Sequence, residues 1–246
     1  MKRPSPKRVL QDYVNLNGTS RKITIYLEKR KNCRASIVRD GLNIRIPSFL
    51  GKQEQTKRIE SLKQWGLKKL AQQPAQYKTG YRDGDQLQVG NKCYSLKIER
   101  ESRKTGSSWV DRDWLCVKLP HHLAEGSQRD MCQKLVRRAV AQDHLPAMKE
   151  RVYDLNQRHF QEKIHQVRLR YNHSNWGSCS SSRNITISTR VLLAPDDVVD
   201  YVCIHELAHL IEANHSYRFW QLVHKAMPDF REKERWLKKN GQRCYF

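Results

Sequence analysis

The residues of this chain best suited to chemistry are His205, Glu206 and His209, joined six positions later by His215. Four residues advance an α-helix by about 6 Å and roughly 40°. On a helix, His205 and His209 therefore project from one face and converge on one point. Imidazoles so placed suit a zinc ion, which takes neutral His nitrogens at about 2.0–2.1 Å. Glu206 stands one helical step from the first His, where it can reach a water beside the ion without binding the ion itself; that is the place of a general base. Asn214 tolerates the left-handed backbone that ends helices, and a chain that turns back there brings His215 to the ion as a third ligand. Three protein ligands and one open position is the catalytic arrangement of zinc. A closed structural site needs a fourth protein ligand, for which Cys179 and His173 are available. A metal-free structural His pair is a further alternative.

The element that must position these groups is a helix over residues 195–213. Pro195 suits a first helical position, and Asp196 and Asp197 suit the positive end of the dipole. Val198, Val199, Val202, Cys203, Ile204, Leu207, Ala208, Leu210 and Ile211 place apolar groups on most sides, so the helix is expected at the centre of a core. Buried helices do not carry His and Glu without partners. Upstream, residues 166–171 and 184–189 alternate as strands, the second expected to be an exposed edge, with Asn175–Cys179 as a turn between them. A helix is expected over 127–161, interrupted or kinked at Pro146. Before it, strands at 21–28, 36–38 and 42–46 turn at Asp40-Gly41. A helix over 53–70 stops at Pro74, and a second β-rich stretch covers 83–119. The expected organisation is an arm over 1–20, a basic, mostly β region over 21–120 with one helix, and a catalytic domain over 121–246. No internal repeat is visible.

Charge and cysteines narrow the setting. Among 246 residues, 47 Lys and Arg face 25 Asp and Glu, a net charge of +22. Residues 1–80 alone hold 19 basic and 5 acidic side chains. A field of that sign attracts nucleic acid or another polyanion. Seven scattered cysteines with no Cys-x-x-Cys pair fit a reducing cytoplasm. No apolar run is long enough to span a membrane. The basic start Met1-Lys2-Arg3-Pro4 has no apolar region behind it, so no secretory signal is expected.

The segment Ala194 to Trp220, with Trp176-Gly177-Ser178-Cys179, Asn184-Ile185, Pro228 and Trp236-Leu237-Lys238-Lys239-Asn240-Gly241, resembles the YgjP-like metallopeptidase-domain family, metal-dependent hydrolases related to SprT-like and WLM zincins. A weaker likeness reaches the strand pair ending at Pro47 and the helix bearing Trp65. The resemblance implies an α+β fold: a zincin-like C-terminal domain, with helices on a small antiparallel sheet and a metal-bearing helix. It implies one Zn2+ per chain on His205, His209 and His215, with Glu206 as base. Where many relatives have Arg or Lys before Trp176, this chain has Asn175.

Several further residues compete for roles. Tyr217, Arg218 and His224 follow the third His and are candidates for stabilising a developing oxyanion. Trp176 is a candidate cleft wall or a packed aromatic, whereas Phe219 and Trp220 lie in an apolar stripe that suits a core. His-Glu-x-x-His favours peptidase chemistry on a peptide or protein substrate. Family relatives also carry a pyrophosphatase label, and a nucleoside triphosphate is the second substrate expectation, with Arg168, Arg170, Arg190 and Arg218 as possible phosphate contacts. A polyanion-binding module with structural zinc is the third.

Overall fold

A computed structural model describes residues 8–16, 19–38, 41–71 and 80–246. Contacts part the chain into two units, Met1–Pro74 and Ala75–Phe246. The first holds strands β1 (Arg8–Leu16), β2 (Thr19–Glu28), β3 (Arg34–Val38) and β4 (Gly41–Pro47), then helix α1 (Lys52–Ala71). The sheet order is β1-β2-β4-β3, with β2 and β4 parallel and the outer pairs antiparallel. Side chains alternate across a strand, so Ile23, Ile25, Leu42, Ile44 and Ile46 share one buried face, and α1 closes it through Leu70 and Gly66. A Cβ on Gly66 would come within 2.4 Å of Leu42 Cδ2, so helix and sheet meet closely here. The stretch expected as a loose arm contains β1, which pairs along its whole length with β2. The expected turn at Asp40 and stop at Pro74 lie outside the described residues.

The second unit begins with β5 (Gln86–Val89), β6 (Lys92–Glu101), β7 (Ser107–Asp111), β8 (Trp114–Pro120) and α2 (Glu125–His159). Their order is β5-β6-β8-β7, again with the middle pair parallel. This is the first unit's arrangement repeated 73 residues on. Lys22 pairs with Gly41 and Ser95 with Trp114; Arg34 pairs with Arg45 and Ser107 with Lys118; Tyr13 pairs with Lys22 and Gln86 with Ser95. Lys52 opens α1 and Glu125 opens α2 at the same shift. Local bonds repeat too. Glu28 O accepts from Ser48 N and Glu101 O from His121 N, both at 3.0 Å. Gln55 Nε2 donates to Leu50 O and Gln128 Nε2 to Leu123 O, both at 2.8 Å. The chain thus contains two copies of a ββββα module, contrary to the expectation of no repeat. What the copies share is register and apolar alternation, which few identical residues are needed to keep.

The second copy differs in its helix. α2 is 35 residues against 20 for α1, and it continues through Pro146. Its first half packs under the second sheet through Leu135, Val136, Ala139 and Val140. Its added half, with Met148, Val152 and Leu155, enters a different core. That core is completed by β9 (Gln166–Arg170), β10 (Gly177–Cys179), β11 (Asn184–Ser188), a 3-10 turn (Thr189–Leu193), and helices α3 (Asp196–Ala208), α4 (Tyr217–Ala226) and α5 (Phe230–Asn240). The three-stranded sheet has the order β10-β11-β9, antiparallel then parallel, so it is mixed and not antiparallel as expected. β11, expected at the edge, is central. The edges are β9 and β10, the latter in the segment expected as a turn. The β9–β11 connection folds out and back as β10, which makes β9 and β11 parallel. α3 lies at the centre, with Val198, Val199, Val202, Cys203, Ile204 and Leu207 buried as its apolar pattern requires. Its start is tied by Arg151 to Asp196 at 2.7 Å and by Lys233 to Asp197 at 2.6 Å.

Candidate metal centre

α3 stops at Ala208, earlier than its apolar pattern suggested, and His209 is its capping residue. The chain turns back and Ser216 caps α4 by accepting from Phe219 N. That reversal delivers His215 to the two helical imidazoles. One nitrogen from each of His205, His209 and His215 falls within 4.8 Å of the others, the three-membered ligand group among the described residues. His205 Nε2 and His215 Nε2 are 3.0 Å apart. Two nitrogens of a tetrahedral zinc site would stand about 3.3 Å apart. Phe219, fully buried, packs against all three rings, with centroids 4.5–5.0 Å away. Trp220 borders His205 and His215 and stacks on Phe230. The aromatic stripe expected as core is thus also the floor of the site.

The donor chemistry fits a cation. His209 Nδ1 lies 3.0 Å from Glu212 O. A carbonyl only accepts, so Nδ1 carries the proton and Nε2 keeps its lone pair. Burial, reinforced by the neighbouring His209 and His215, holds His205 far below the usual imidazole range, at about 4. Burial lowers His209 as well. One proton can bridge the pair at 3.0 Å, but it cannot serve three convergent rings; a cation can.

Glu206 is 6 % exposed, and burial pushes its carboxyl up to about 8. It faces β10. A Cβ on Gly177 would stand 2.5 Å from Glu206 Cγ and 2.6 Å from Oε1, so only glycine admits this approach. That is the physical content of the Trp-Gly-Ser-Cys segment. Cys179, also on β10, has its thiol pushed up to about 11, mainly by burial and then by Glu206. Neither Cys179 nor His173 joins the three-His group, so no fourth protein ligand closes it among the described residues.

A cleft of about 690 Å³ opens over these groups. Trp176 lines it and is held from below by Arg190, whose guanidinium sits 4.3 Å from the indole centroid. Arg190 itself is buried, donating to the carbonyls of His173, Gly241 and Cys244. Tyr217, 79 % exposed, Arg218 and His224 do not line the cleft. Sequence reading missed Tyr201, which lines it and meets His205 edge-on at 6.0 Å. Its position four residues before His205 on one helix was the available signal. It also missed Glu234 of α5, for which no local pattern spoke, and gave no role to Lys238, which lies in the Trp236–Gly241 segment of the resemblance.

A family model described as YgjP-like, metallopeptidase domain, matches residues 31–240. No curated protein matches the chain. Among solved structures, the metallopeptidase zymogen abylysin of Pyrococcus abyssi aligns with 26 % identity and a TM-score of 0.35, covering 37 % of this chain and 93 % of that one. The zymogen jannalysin of Methanocaldococcus jannaschii aligns with 17 % identity and a TM-score of 0.34, covering 37 % and 94 %.

Proposed function

The chain belongs to the YgjP-like metallopeptidase-domain family, and we propose that it is a zinc-dependent peptidase acting on extended polypeptide. The observation that carries the reading is the convergence of His205, His209 and His215 beside a buried, unligated Glu206. The three imidazoles would hold one Zn2+ per chain. Zinc, when bound, supplies Lewis acidity and brings a water's pKa to near 7. Glu206 is the group that takes the proton of the attacking water, and its burial against Gly177 fixes where that proton goes. Protonated by that transfer, Glu206 is placed to return the proton to the departing amine.

β10 is the strand for the substrate to pair with. Ser188 N donates to Trp176 O, and Ser180 N donates to Asn184 O. Residues between them, Gly177 and Cys179, therefore turn their backbone groups away from β11 and toward an added strand. Asn175 Nδ2 already holds Gly177 O at 2.8 Å, so the residue that departs from the family pattern sits on that edge. The cleft walls argue against a triphosphate. Lys238 is its cation among the described lining residues and is bonded to Glu234, while Arg190 is spent on carbonyls. All seven cysteines are free, which supports a cytoplasmic setting. No described helix is long and apolar enough to cross a membrane.

The test is a parallel assay of zinc-loaded protein on unfolded casein and on the common nucleoside triphosphates, with Glu206→Gln as blank. Cleavage of casein that falls about 10²- to 10⁴-fold in Glu206→Gln is expected. Cys179→Pro, which removes an outward N–H, should weaken casein cleavage and keep the metal. Glu206-dependent nucleotide hydrolysis without casein cleavage would replace this reading by a pyrophosphohydrolase.

A further inference from the structure

The two ββββα modules share a backbone and not a surface. On each sheet, one face meets the helix and the other does not. In the first copy that outer face carries Val9, Gln11 and Tyr13 on β1, Lys22, Thr24, Tyr26 and Glu28 on β2, Asn43 and Arg45 on β4, and Arg34 and Ser36 on β3, as the alternation against buried Ile23, Ile25, Leu42 and Ile44 requires. Tyr13 is 62 % exposed and pairs across from Lys22. Arg45 lies over the Tyr26 ring at 4.5 Å, making one flat stack mid-sheet, and Arg34 is exposed beside it. Glu28 is the acidic side chain on this face among the described residues, and Arg45 and Arg30 both bind it. Exposed Lys29 and Lys31 extend the track past the end of β2.

The second copy is a control built into the same chain. At the positions 73 residues on, Tyr13 becomes Gln86, Lys22 becomes Ser95, Tyr26 becomes Glu99 and Arg34 becomes Ser107. Its remaining cations are neutralised in place. Lys97 pairs with Glu99 at 3.0 Å, and Lys118 pairs with Glu101 and Glu99. The same face of the second copy also carries exposed Trp109 and Trp114. What distinguishes the first copy is therefore Lys22 and Arg34, where the second copy has serines, beside exposed Tyr13 and the Arg45–Tyr26 stack. This excess of cations beside rings calls for a ligand. An exposed ring that any base can stack on, here Tyr13, beside a guanidinium–tyrosine stack and cations that follow a phosphate backbone, is what single-stranded nucleic acid binds. From Lys22 to Glu28 the track is about 20 Å long at the rise of a strand. We propose that the outer face of the first sheet, through Tyr13, Lys22, Tyr26, Arg34 and Arg45, is a binding surface for single-stranded nucleic acid. The proposal does not depend on the peptidase reading.

The test is fluorescence anisotropy of the full chain with labelled oligo-dT and oligo-rU of about 15 nucleotides, a blunt duplex and heparin, at several salt concentrations. The key variant exchanges first-copy residues for those the second copy holds: Tyr13→Gln, Lys22→Ser, Tyr26→Glu and Arg34→Ser together. Each replacement is one that the same backbone already accommodates, and a thermal melt checks it. Lys52→Ser, Lys57→Ser and Lys68→Ser, exposed on α1, remove equal charge elsewhere. Tyr13→Gln alone changes no charge. Single strands are expected to bind better than duplex, to lose at least about fivefold in affinity in Tyr13→Gln, more in the exchange variant, and less in the α1 variant. Equal losses in the exchange and α1 variants, no loss in Tyr13→Gln, or duplex and heparin binding as well as single strands would each overturn the proposal in favour of diffuse attraction to polyanions.

Discussion

The two copies of the ββββα module show how one backbone serves two ends. In the first, the helix stops at Ala71 and the outer sheet face is aromatic and basic. In the second, the helix runs on to His159 and the outer face joins paired charges to exposed Trp109 and Trp114. The added half of α2 is what matters for the metal centre. Met148, Val152 and Leu155 pack with Val167, Leu169, Val202 and Cys203, so the helix that begins as a module's own lid ends as the support of α3. The module supplies a scaffold in one case and a surface in the other, and in neither does the fold alone specify the use.

The largest test of this contrast is in the cores. Leu155→Ala should cost about 2–5 kcal/mol and speed amide exchange in β9 and α3, leaving β2 and β4 protected. Leu70→Ala, equally buried in the first module, should do the reverse and leave catalysis intact. Exchange that quickens everywhere in both variants would show that the two units unfold as one.

A second test uses a residue that only the second copy has. His144 is buried where the first copy has Ala71, its Nε2 has no hydrogen-bond partner, and burial outweighs Asp143 in lowering its pKa. The unfolded chain takes up this proton below about pH 6.5, while the folded chain resists it. His144 therefore contributes stability that is complete above that pH and declines as pH falls toward its folded value, by at most about 1.4 kcal/mol per unit. Stability profiles of wild type and His144→Gln should run parallel above pH 7 and differ in slope below 6.5. Parallel profiles across pH 5–7 would remove His144 from the account.

The smallest effect concerns the ion pairs that both copies place at one site, Arg45 with Glu28 and Lys118 with Glu101. Both are partly exposed, and Arg45→Ala or Lys118→Ala should each cost under about 1 kcal/mol. A markedly larger cost for Arg45 would show that its stack on Tyr26 holds the first sheet together.

The centre was legible because its signal is local. His205 and His209 share a helix face by spacing alone, and Asn214 marks the turn that returns His215. The support was not legible. Gly-Ser-Cys carries no strand signal over three residues, so β10 read as a turn, and alternating Ile185 and Ile187 made β11 look like an edge although both of its sides are paired. Gly177 read as a turn glycine, whereas its role is to admit the Glu206 carboxylate. The duplication was hidden because it is kept by registers, with Glu28 and Glu101 or Pro47 and Pro120 among scattered matches. Tyr217, Arg218 and His224 were attractive by nearness in sequence, but the cap at Ser216 starts a helix that carries them away from the cleft.

The central claim is that three imidazoles of the second unit hold one catalytic zinc. Elemental analysis of the purified chain and of His205→Ala, His209→Ala and His215→Ala, each confirmed folded, tests it most directly. The account predicts one zinc per chain in the wild type and in Glu206→Gln, with loss of most of the metal in each His variant after brief dialysis against a weak chelator. Full zinc retention in any of the three His variants, or a wild-type chain that takes up no zinc, would contradict it.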